Sequence, residues 1–196
     1  MCHTERTTEH QPTCFRGRWG SRTKGNGGIV VSSSTSGVLF VHSSPRALAP
    51  HIEWSIGSAL GTPVSLDWTD QAVLPGTLRA EFTWHGEGGT AAMLASALRG
   101  WEHLRFEVTE DPSPGVDGMR FMHTPDLGVF AAVTDAVGNI VIPEDRIRYA
   151  VDVAAGDAEE MSRELRLALG QAWDDELEPF RHAGDDERVV WLHRVG

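Results

Sequence analysis

Lysine occurs once in the 196 residues, at Lys24, and cysteine twice, at Cys2 and Cys14. All three lie in the first thirty positions. The rest of the chain therefore has no disulfide framework, no thiolate nucleophile and no cysteine-based zinc or iron–sulfur site. It also lacks an amine for a Schiff base and the lysine of a Walker-type phosphate loop. No apolar run approaches the ~20 residues that a membrane span needs. No apolar segment of the secretory type opens the chain, so a cytoplasmic protein is expected.

Positive charge is scarce outside the leader. Residues 1–29 hold five basic residues against Glu5 and Glu9, a net of +3, so the remainder carries −14 of the formal −11. A body that acidic repels phosphate backbones and anionic lipid heads, and neither nucleic acid nor membrane is expected as a partner. What the chain does have is apolar bulk. A hydrophobic fraction of 40%, with seven Trp and seven Phe, is enough for a core.

Residues 1–29 are polar, without periodicity, and end in Gly25-Asn26-Gly27-Gly28. They read as a disordered leader, or as a start-site artefact with translation beginning near Val30 or Val31. Cys2, His3, His10 and Cys14 could grip a metal there, but nothing hydrophobic supports such a site and no metal is expected. Beyond the leader, Val38–Val41 reads as a buried central strand. A helix follows, with Leu48, Ile52, Ile56, Ala59 and Leu60 inward, closed by Gly61. Pro50 either begins that helix or continues a separate turn started by Pro45.

Val64, Leu66 and Trp68 alternate with polar residues, as do Leu78, Ala80, Phe82 and Trp84, and both stretches read as half-buried strands. Thr90 is placed to cap a second helix running to Arg99, with Leu94, Ala97, Leu98 and Trp101 inward, and Leu104, Phe106 and Val108 give another strand. Residues 30–111 thus spell a ferredoxin-like (βαββαβ) antiparallel sheet with two helices on one face, an α+β class. Asp111–Gly115 is the clearest break. Residues 112–196 are expected to form a C-terminal α+β extension of hairpins and helices packed on that core. Its parts are strands at Met119–His123, Gly128–Thr134 and Asn139–Ile142, a short helix after Pro143, and one longer helix. Met161, Leu165, Leu169, Trp173 and Leu177 recur every four residues along that longer helix, and a strand at Val189–Val195 ends the chain.

Three places could carry chemistry. At the start of the first helix, Ser43, Ser44 and Arg46, with His42, His51 and Asp67 nearby, could hold a phosphate or carboxylate through backbone N–H groups and the helix dipole. A serine cap ahead of a proline explains the same residues without a ligand, and the prolines remove donors an anion would use. The uncovered sheet face would present Asp67, Arg79, Glu81, His85, His103, Arg105 and Glu107, which could do acid–base work or simply form cross-strand ion pairs under a C-terminal cover. Finally, Asp174, Asp175, Glu176 and Glu178 crowd a helix end that the dipole makes unfavourable for carboxylates. Their compensation is either internal, through Arg181, His182, Arg188 or Arg194, or an external basic partner. Gly86-Glu87-Gly88-Gly89 lacks both dinucleotide spacing and a lysine and reads as a turn.

Gly37–Ser43, Pro45–Leu48, Pro50–Trp54 and Val64–Trp68 resemble segments of an uncharacterised actinobacterial family, domain of unknown function number 3145. Ala97–Trp101, Pro112–Gly118, Gly170–Phe180 and Trp191-Leu192-His193 are similar to it too, so the resemblance covers residues 36–196. It implies a start shortly before the first strand and a loose link to fatty-acid synthesis. Ala49 stands where many members are expected to carry cysteine. The resemblance implies no activity and no cofactor.

Two functions are carried forward. One is a non-enzymatic binding or regulatory protein contacting an unidentified protein partner, with the acidic helix end as its contact. The other is an enzyme or small-ligand protein taking an anionic, acyl or phosphorylated compound at Ser43–Arg46. The residues do not set the oligomeric state.

Overall fold

The computed structural model describes residues 34–182. The leader, with its four metal-capable residues, and the strand expected at Val189–Val195 lie outside the described residues.

An antiparallel sheet of seven strands carries five helices in an α+β arrangement. The order across it is β2-β3-β1-β4-β5-β6-β7. That is not the order of a ferredoxin-like sheet, because the chain after Asp111 adds its strands to the same ladder. β1 (Ser34–Pro45) lies between β3 (Thr77–Glu87) and β4 (Arg105–Glu110), and β4 then pairs with β5 (Gly118–Thr124), setting Phe106 opposite His123 and Glu107 opposite Met122. β6 (Gly128–Thr134) and the short β7 (Ile140–Val141) complete that side.

β1 starts four residues ahead of its apolar run, because Ser34–Gly37 pair with Glu87–Trp84. Gly37 is required there: a Cβ would stand 1.9 Å from the carbonyl oxygen of Thr109 and 2.6 Å from the Trp84 ring. At the other end the separate turn after Pro45 is found, and the helix begins one residue before Pro50. Pro45 precedes a 3-10 turn (Arg46–Leu48), and Pro50 is the second residue of α1 (Ala49–Leu60), where its missing N–H has no helical partner to lose. Gly61, left-handed at φ +68, ends the helix.

The stretch Val64–Trp68 is not the strand its alternation suggests. Only Thr69–Asp70, β2, pairs with β3. Oε1 of Glu53 accepts from the Leu66 N–H at 2.8 Å and from Trp68 Nε1 at 3.1 Å, so a side chain on α1 takes the donor that a ladder would need. Leu66 still reaches the core.

α2 (Thr90–Leu98) turns Ala91, Leu94, Ala95 and Leu98 inward, and Ala97, expected inside, is exposed. Its cap also differs. Thr90 is the first helical residue, and Glu110, at the end of β4, accepts from the N–H groups of Gly89 (2.7 Å) and Ala91 (2.9 Å). α1 and α2 cover one sheet face, burying Ile52, Ile56, Leu94 and Leu98 against Leu39, Val41, Trp84, Phe106 and Val108. Each such aliphatic side chain contributes ~1.5–3 kcal/mol by leaving water.

α3 (Glu144–Ala154) and α4 (Ala158–Leu169) pack on each other. The single long helix suggested by the four-residue spacing breaks at Gly170, φ +72, and resumes as α5 (Gln171–Arg181). A Cβ at Gly170 would stand 2.6 Å from the ring of Phe130. The break aims α5 across the sheet face that α1 and α2 leave open.

Candidate functional site

Strand alternation sends His42, Arg105, Glu107, Arg120 and Met122 to the face opposite the main core. The cover over them comes from α5. Trp173 anchors its start, with the indole 5.1 Å from Phe130 and Nε1 donating to the Gly128 carbonyl at 2.9 Å. Leu177 is fully buried, and the Phe180 ring lies under the Arg105 guanidinium at 4.9 Å. Gln71, 2% exposed, donates to the carbonyls of His42 (2.6 Å) and Phe180 (3.4 Å), which ties the end of α5 to the chain just after β2.

Glu107 is the centre. His42 Nε2 donates to its Oε1 at 3.2 Å, Arg181 Nε donates to the same oxygen at 2.6 Å, and Arg120 donates to Oε2 at 3.1 Å. Burial pushes the Glu107 carboxyl up, but the His42 hydrogen bond and the His42, Arg120 and Arg181 charges outweigh it and hold the group at about 2. Arg120 and Arg181 both also bond Asp174 Oδ1, at 3.0 and 2.6 Å. Arg181 is drawn toward Glu107, Asp174 and Glu178 strongly enough that its pKa rises despite its burial. The result is a closed network in which every buried charge has an opposite neighbour.

The acidic helix end is largely part of that network. Asp174 bonds Arg120 and Arg181, Glu176 bonds Arg105 at 3.2 Å, and Glu178 bonds Arg181 (3.0 Å) and His182 (3.1 Å). Arg181 and His182 lower the Glu178 carboxyl pKa accordingly. Asp175 is exposed and forms no ion pair among the described residues.

Among the described residues no hydrogen bond or ion pair joins the side chains expected to gather an anion. Ser43 and Ser44 are fully buried; Ser43 Oγ has no partner among the described residues, and Ser44 Oγ donates to the Pro45 carbonyl at 3.2 Å. Arg46 is exposed and pairs with Asp70. His51 stacks on Trp101 with centroids 6.0 Å apart, and Asp67 is exposed to solvent. Among the described residues no group of three His, Cys, Asp or Glu could hold a metal ion. No helix there is long and apolar enough to cross a membrane.

Gln71, Arg120 and Glu110 escape a reading of the sequence. Arg120 has a signal in principle: antiparallel pairing of β4 with β5 puts it diagonal to Glu107 once the register is known. Gln71 follows the two-residue β2 and has no periodicity around it.

Opposite in character is the outer side of α1. Trp54 is 74% exposed there, beside a groove of about 580 Å³ lined by Pro50, Gly57, Ser58, Pro63 and Val64. Glu53 is the groove's single charged residue, and it is already bonded to Leu66 and Trp68.

The family model described as "Protein of unknown function (DUF3145)" matches residues 38–194. No curated protein and no solved structure matches the chain.

Proposed function

The chain belongs to the family of proteins of unknown function DUF3145, and from its geometry we propose a non-enzymatic binding or regulatory protein that acts through contact with another protein. One observation carries the reading: Trp54, the largest apolar side chain exposed among the described residues, stands over a groove with no free charge, while Glu107, Arg120, Arg181 and Asp174, between the sheet and α5, are spent on one another. Tryptophan buried at an interface commonly contributes ~2 kcal/mol or more, and a chain gains nothing by leaving one in water. The partner chemistry that fits is an apolar segment with an aromatic or proline side chain for the groove. Asp175, the member of the acidic helix end with no ion pair among the described residues, is a secondary contact in this reading. Architecturally we read β2-β3-β1-β4 as a ferredoxin-like unit widened by β5–β7, with α5 occupying the face on which such a unit would otherwise bind a ligand.

Native co-purification with mass spectrometry tests it. Wild-type protein is expected to recover a stoichiometric protein partner, and Trp54→Ser to lose at least about tenfold of it while melting at the wild-type temperature. Equal recovery by Trp54→Ser removes this face from the account. A retained small molecule in place of a protein overturns the reading.

A further inference from the structure

We propose that α3 is the contact of a two-fold homodimer, an interface that does not depend on the Trp54 reading. α4 covers only part of the apolar arc of α3. Ala150 and Ala154 are buried against it, and Arg146 Nη2 bonds the buried Glu164 of α4 at 3.4 Å, which fixes the rotation of α3. That rotation leaves Ile147 and Val151 outward, 43% and 51% exposed, beside a groove of about 520 Å³ that also includes Ile142. Tyr149, on the other flank, is already under the Arg146 guanidinium at 5.1 Å. The open apolar stripe is therefore Ile147–Val151.

The charges beside this stripe select a second copy as the occupant. Glu144, Arg148 and Asp152 recur every four residues along the same groove, reading negative, positive, negative. Arg148 pairs with Glu144 within the helix. A two-fold contact must be self-complementary, with residue i meeting j and j meeting i. In an antiparallel pair of α3 helices centred between Arg148 and Asp152, Arg148 of each copy meets Asp152 of the other, while Ile147 and Val151 close over each other along the stripe. A ladder of one sign could not do this. Alternation at i, i+4 does it with one helix and no other partner.

The test uses the full chain and its mass in solution, by light scattering and sedimentation. Wild type is expected at twice the chain mass. Val151→Glu puts a charge into the stripe and is expected to raise the dimer dissociation constant at least about tenfold with an unchanged circular dichroism spectrum. Arg148→Glu sets the introduced carboxylate against the Asp152 carboxylate across the two-fold. Asp152→Arg likewise sets the introduced guanidinium against that of Arg148, so each variant is expected to be monomeric alone. An equimolar mixture of the two restores opposite charges across the contact and is expected to return to dimer mass, a rescue that damage within one helix could not give. A wild-type monomer, a dimer unaffected by Val151→Glu, or two variants that stay monomeric when mixed would each overturn the proposal. A wild-type monomer that dimerises once residues 183–196 are removed would overturn it as well, by giving the face to the chain's own end.

Discussion

Arg181, in the last turn of α5, donates to Glu107, in the middle of β4, from 74 positions further along the chain. The contact makes the last described helix a strap over the sheet. His42 and Arg120 approach the same carboxylate from the two flanking strands, so β1, β4, β5 and α5 share one charge. Burying a carboxylate is unfavourable unless partners surround it, and here three do. Its loss would take one of two carboxylate partners from Arg120 and one of three from Arg181, and would leave the buried His42 Nε2 without its acceptor.

That arrangement predicts an acid-sensitive contribution of known sign. The Glu107 carboxyl is held at about 2 in the fold against an ordinary 4.5. A depressed carboxylate stabilises above its unfolded value and loses that contribution as pH falls toward the folded one. The shift corresponds to about 3 kcal/mol at neutral pH, at 1.36 kcal/mol per unit. Glu107→Gln is expected to lower unfolding free energy by roughly that amount at pH 7, and much less at pH 3, where the wild-type contribution has itself begun to go. Urea unfolding of both proteins at the two pH values measures it; an equal deficit at both would show that the role of Glu107 is shape, not charge.

Gly170 is predicted to be the least replaceable glycine of the helical part. Its φ of +72 disfavours a side chain, and the Phe130 ring fills the space a Cβ would need. Gly170→Ala is expected to destabilise by about 2 kcal/mol or more, combining left-handed strain with displacement of Phe130 from Trp173. Thermal melting reads the loss, and a red shift in tryptophan emission in the same variant would report Trp173 leaving its contact. If Gly170→Ala melts like wild type, the helix break is set by something other than this glycine.

The elements that the sequence discloses and those it hides differ in a consistent physical way. β1, β3, β4 and β5 and the first two helices announce themselves, because each turns apolar residues toward the same core. Gly61 is legible as a stop for the same local reason. Glu110 is not: it caps α2 from about twenty residues downstream, so the chain near Gly89 and Thr90 carries no sign of it. Val64–Trp68 misleads because its alternation is real, with Leu66 inward, while Glu53 takes the backbone donor. The four-residue spacing from Met161 to Leu177 reads as one helix because both halves use the same period, although Gly170 ends α4 in the left-handed conformation as Gly61 ends α1, and the Phe130 ring occupies the space that a side chain there would need. The acidic helix end is legible as something needing compensation. Arg181 and His182, close by in sequence, supply part of it; Arg105 and Arg120 arrive from strands whose register no local pattern reveals.

His123 gives a second pH dependence, at the other end of the scale. Its ring is buried, stacks on Phe106 at 5.0 Å between centroids, and donates from Nδ1 to the Leu104 carbonyl at 2.8 Å. Burial pushes its pKa below the ordinary 6.5, against the smaller opposing pull of that carbonyl and of Glu176. The fold therefore holds the neutral imidazole, while the unfolded chain takes up a proton once the pH drops through about 6.5. Native protein binds fewer protons than unfolded protein below that point, so stability falls as pH falls, by at most about 1.4 kcal/mol per pH unit for this one group. His123→Gln supplies an amide donor for the Leu104 carbonyl and cannot titrate. Between pH 7.5 and pH 5.5 it is expected to lose less stability than wild type, whatever its starting value. Parallel curves for the two proteins would mean that His123 takes up its proton without leaving the core, and that the packing around Phe106 yields more readily than its burial implies.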